Sequence, residues 1–131
     1  MSTEYVLPFV PSIGAYRFGT SIGRSFFIFD VQWNSRDNID RHTGIAQGAW
    51  YFNLRDEQLK LIAGSLKIAL GAYIGRRVNH PLFRQGVLVA QDTTNSKVNA
   101  GKEAGYDDLG TRVLVKYIPV AELIRRLSLA G

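Results

Sequence analysis

The chain has 131 residues, enough for one domain that buries roughly two thirds of its unfolded surface without staples. It contains no cysteine, which excludes disulfides and thiolate metal sites and says nothing about compartment. Sixteen Lys and Arg against eleven Asp and Glu give a formal charge of +5, but the basic residues are scattered, so a solvated or subunit-facing surface is expected.

Residues 1–24 carry Pro8, Pro11, Gly14, Gly19 and Gly23 among isolated aromatics. The prolines favour extended backbone, so this segment reads as an arm with room for one short strand. Its opening, MSTEYVLPFVPSIG, lacks the basic start and apolar run of a secretory leader, which predicts a protein made in the cytoplasm. No apolar run reaches the roughly 18 residues a membrane span needs. Tyr5, Val6, Leu7, Phe9 and Val10 require cover, from the domain or from a neighbour.

Residues 25–34, SFFIFDVQWN, give the strongest strand signal. Phe27, Phe29, Val31 and Trp33 share the parity expected to face a core, and Phe26, Ile28, Asp30 and Gln32 share the other. Ser35-Arg36-Asp37-Asn38 reads as a turn. Residues 48–55 form a second strand, with Trp50, Phe52 and Leu54 alternating with Tyr51, Asn53 and Arg55. Asp56-Glu57-Gln58 turns the chain. Residues 59–72 suit two strand pieces with a kink at Gly64-Ser65, because glycine costs about 1 kcal/mol in a helix interior. Asn79-His80-Pro81 is a turn. Residues 86–91 and 111–118 are strands, the latter with Val113, Val115 and Tyr117 on one face. Pro119 ends it and suits the first position of a helix. Val120, Leu123, Ile124 and Leu127 then share a helical face, with Glu122, Arg125 and Arg126 opposite. The pattern predicts a mainly β fold: a small antiparallel β-barrel or sandwich (25–118), an extended N-terminal arm (1–24) and a short C-terminal helix (119–131).

The polar stretch 92–110 holds Asp92, Glu103, Asp107 and Asp108. Its spacing does not match a calcium loop, since Lys97 and Lys102 intervene and adjacent Asp107 and Asp108 point apart in extended chain. A long hairpin loop is the expectation. His42 and His80 lie in turns with no nucleophile motif nearby, so no catalytic residue, metal ligand or cofactor is assigned. Gly71 to Arg76 lacks a phosphate-loop pattern. Tyr51, Tyr73, Tyr106 and Tyr117 near basic residues leave a second reading open, a basic β-barrel that binds single-stranded nucleic acid. Core or interface roles account for such aromatics more simply.

The strand ending VQWNSRDN, then GAWYFNL, then GVLVAQDTTN, and finally GYDDLGTRVLVKYIP resemble the small baseplate plug proteins of contractile-tailed cyanophages. The resemblance spans about residues 25–118. Its most specific parts are Trp50-Tyr51-Phe52, Asp92-Thr93 and Asp108 to Val113. It implies a non-enzymatic virion component without a small-molecule substrate, made in the host bacterium. It also implies a ring of identical copies where the tail tube meets the baseplate hub, six-fold favoured over three-fold. Subunit contacts are expected at Phe9, Val10, Leu123, Ile124 and Leu127, at Arg76 and Arg77, and at Asp107 and Asp108 against arginines of the next ring.

Overall fold

A computed structural model describes residues 4–94 and 103–130. The strands are β1 (Tyr5–Val6), β2 (Ala15–Ile22), β3 (Ser25–Asn34), β4 (Ala49–Asp56), β5 (Leu61–Lys67), β6 (Tyr73–Ile74), β7 (Gly86–Asp92) and β8 (Val113–Pro119). The helices are α1 (Pro81–Arg84) and α2 (Val120–Ala130). One antiparallel sheet has the order β2-β3-β4-β5 and the other β1-β8-β7-β6. The two sheets do not close on each other, so the mainly β expectation resolves to a sandwich. None of the described helices is long and apolar enough to cross a membrane.

The inner faces follow the alternation of the sequence. Phe27, Phe29 and Val31 of β3 and Trp50, Phe52 and Leu54 of β4 are buried. Opposite them lie Leu88 and Ala90 of β7 and Val113, Val115 and Tyr117 of β8. Tyr117 donates its hydroxyl proton to the Leu82 carbonyl at 2.6 Å, so its polar tip is satisfied inside the core. The predicted kink in residues 59–72 is a pair of register shifts between β4 and β5. Ser65 sits there at φ 53°, and its N–H reaches the Asn53 Oδ1 at 2.7 Å instead of the ladder.

The N-terminal segment is more than an arm. β1 pairs with β8, and β2 pairs with β3 along its whole length. Tyr16, Phe18, Thr20 and Ile22 alternate inward, and Gly23 at φ 65° turns the chain into β3. Phe9, expected at a subunit contact, is 5% exposed in the chain's own core. Its ring meets Phe18 edge-on at 4.9 Å, Phe29 at 5.8 Å and Phe52 at 5.9 Å. The proline-flanked segment is extended as expected, but it closes the open end of the sandwich. Gly110 makes that closure possible. It adopts φ 88°, and a Cβ there would stand 2.3 Å from the Phe9 carbonyl oxygen.

Two further short elements are present, the second at the expected Asn79-His80-Pro81 turn. β6 pairs briefly with β7. In α1, His80 is the N-cap, its Nδ1 accepting the Leu82 N–H at 3.1 Å, and Pro81 follows it.

Candidate interaction surfaces

Three surfaces carry the residues singled out by the sequence. The first is the acidic segment after β7. Residues 95–102 lie outside the described residues. In the rest, Ala104 and Leu109 are buried, so the segment from 103 onward packs on the sandwich. Arg112 organises it. Its Nη1 donates to Asp92 Oδ2 at 2.5 Å, and its Nη2 to the Glu103 carbonyl at 2.7 Å. Asp108 Oδ2 accepts the Gly105 N–H at 2.8 Å and lies 3.4 Å from Arg112. Asp107 turns the other way and accepts the Ser12 hydroxyl at 2.5 Å. Tyr106 stacks on Trp50, 5.9 Å apart and 10° from parallel, and donates to the Ser12 carbonyl. The two aspartates therefore diverge and serve the chain's own architecture. Among the described residues, no three His, Asp or Glu side chains are grouped to hold a metal ion. The Thr94 hydroxyl and N–H, then Arg112, hold the Asp92 carboxyl below its usual range.

The second surface is the outer face of the β2–β5 sheet. Arg17 of β2 and Arg55 of β4 flank Asp30 of β3, at 2.5 Å and 2.8 Å. Arg17 foremost, and then Arg55, hold Asp30 below the usual carboxylate range against a burial effect of opposite sign. A shallow groove of about 410 Å³ runs over this face, lined by Ala15, Arg17, Asp30, Gln32, Tyr51 and Asn53. Among the described residues, nothing covers this polar surface.

The third surface is α2. Glu122 is only 4% exposed and turns toward the sandwich. It accepts Arg125 Nη2 at 2.7 Å and Arg126 Nε at 3.0 Å. Arg126 also reaches Glu4 at 2.8 Å, and Glu4 meets Lys116 of β8 at 3.2 Å. Arg126, ahead of Lys116, holds the Glu4 carboxyl low. This charge lattice ties the helix to Glu4 and, through Glu4, to β8. The apolar face is left outward: Val120 and Ile124 are exposed, Leu127 is 73% exposed, and Leu123 is half-buried.

Val10 is exposed at its side chain while the Tyr16 hydroxyl bridges its N–H and carbonyl. Arg76 and Arg77 are exposed after β6. His42 is exposed, and His80 is spent on capping α1. The tyrosines do not converge on a groove. Tyr117 is in the core, Tyr106 stacks on Trp50, and the Tyr51 hydroxyl bonds Asp37. The surface missed by sequence reasoning is the free edge of β2. The alternation of Tyr16, Phe18, Thr20 and Ile22 before a Gly-Arg turn is its signal.

The sequence family described as cyanophage baseplate Pam3 plug gp18 matches residues 5–120. That span takes in the N-terminal strands as well as the sandwich, reaching beyond the 25–118 that carry the resemblance. No curated protein and no solved structure matches the chain.

Proposed function

The chain belongs to the cyanophage baseplate plug family, and from that premise we propose that it forms a ring of identical copies joining the tail tube to the baseplate hub. The family match over residues 5–120 carries this reading. A baseplate plug is a structural virion protein, and the chain's work here is contact rather than chemistry. Six-fold symmetry is favoured over three-fold, with tube protein and hub proteins on the two sides. The chain is made in the host bacterium and ends in the particle.

The exposed apolar stripe of α2 supports a contact role. Val120, Ile124 and Leu127 follow helical spacing on one outward helix face, where an isolated chain gains nothing from them. Val10, Leu123, Arg76 and Arg77 are the further contacts assigned to neighbours. Asp107 and Asp108 bond Ser12 and Gly105 through one carboxylate oxygen each, so a neighbouring ring would be met by the other.

An early stop codon placed in this reading frame of the phage tests the assignment. The expected result is particles whose tubes and baseplates fail to join, restored by supplying the chain in trans. Complete, infectious particles without the chain would overturn it.

A further inference from the structure

The four sheet edges of the molecule are treated unequally. β1 and β6 are two residues each, too short to template another strand. β2 is eight residues long, regular and free of proline, and β5 is seven. Both sit at the ends of the same sheet, and no described strand pairs with their outer sides. The Trp33 N–H bonds the Gly14 carbonyl at 2.8 Å. By alternation, the backbone groups of Ala15, Arg17, Gly19 and Ser21 then point to the free side. All four residues are exposed. Their side chains are small except Arg17, which is drawn over the sheet face by Asp30. β2 carries no proline and no register shift, and Arg17 is its one charged side chain.

We propose that the ring is closed by strand addition, β2 of one copy pairing antiparallel with β5 of the next; this rests on the ring reading above. An even number of antiparallel strands makes the two edges run in opposite directions. Copies repeated head to tail around an axis therefore meet in antiparallel fashion without inversion. Ala15 lies in line with Gln32, Tyr51 and Lys67, and Gly19 with Ile28, Arg55 and Leu61; the register shifts of β5 add two residues between these rows, so a regular ladder with Ala15 opposite Lys67 sets Ser21, beside Gly19, opposite Leu61. Phe26 covers Gly19 so closely that a Cβ there would stand 2.4 Å from its ring, yet Phe26 is 41% exposed. Leu61 is 50% exposed at the opposite edge of the same row. Strand addition brings these two apolar groups together. The register shifts of β5 bend the sheet, and a wall that must curve back on itself needs such bends.

The absence of cysteine makes a disulfide trap clean. The pairs A15C with K67C and S21C with L61C are introduced separately, and tails assembled with each variant are oxidised. The expected result is a ladder of covalent multimers that reductant collapses, with each single-cysteine variant running as a monomer. Covalent dimers from A15C or S21C alone would mean two β2 edges meeting about a two-fold axis, and would overturn the proposal. Variants that enter tails at the normal level without cross-linking would overturn strand addition while leaving the ring intact. Absence of the unaltered chain from the tails would instead remove the ring reading. Amide exchange on the unaltered chain needs no substitution. The N–H groups of Ala15, Arg17, Gly19 and Ser21 should exchange at least tenfold more slowly in tails than in the free chain. Equal rates would contradict the pairing.

Discussion

Single residues carry the closure of this sandwich. Gly110 combines a left-handed backbone with contact against the Phe9 carbonyl. Gly110→Ala should lower stability by about 1–3 kcal/mol, read from urea unfolding, because both the backbone and the neighbour must yield. Phe9 is surrounded by three other phenylalanines, so Phe9→Ala should cost about 3–5 kcal/mol in the free chain. A loss confined to assembly would mean that Phe9 serves a neighbour. Asp30, Glu4 and Asp92 are all held below their ordinary values by cationic or hydrogen-bonding partners. A depressed folded value stabilises the protein above the unfolded value and loses that contribution as pH falls through the folded one. Stability should therefore stay level from neutrality down to about pH 5 and fall progressively below about pH 4. Asp30→Asn should flatten this acid limb in unfolding curves collected across pH, and an unchanged limb would assign the loss to other groups. The Arg17 side is exposed, so the effect at neutral pH should be small.

Among the elements, legibility tracked local pattern density. β3, β4, β7 and β8 are dense in apolar residues whose burial alternates along most of each strand, and each lies where its pattern places it. β2 has the same alternation, but Gly19 and Ser21 occupy its outward positions and thin the signal. β6 is two residues held by β7, a tertiary effect with no local trace. The helical face of α2 was readable; that its glutamate faces inward was not, because Glu122 is fixed by Arg125, Arg126 and the body of the domain. The divergence of Asp107 and Asp108 was visible from adjacency, whereas their partners Ser12 and Gly105 depend on the fold. The exposed stripe of α2 gives the element-scale prediction. Ile124→Asp with Leu127→Asp should change free-chain stability by no more than about 0.5 kcal/mol per site. The same pair should sharply reduce recovery of the chain in purified tails. Normal recovery would show that the stripe contacts nothing in the particle.

At the scale of the whole molecule, the chain is a sandwich whose inner faces are satisfied and whose outer features are directed elsewhere. A bare eight-residue edge, a polar sheet face and an apolar helix stripe are the surfaces we propose for other chains. The phage baseplate supplies such chains, and the family match places this protein's relatives there. The most direct test is peptide-level mass spectrometry of density-purified tails, with copies of this chain counted against the tube protein. The account predicts a fixed, small stoichiometry matching one cyclic ring, about six copies per tail. A chain abundant in the infected cell but missing from purified tails would contradict it.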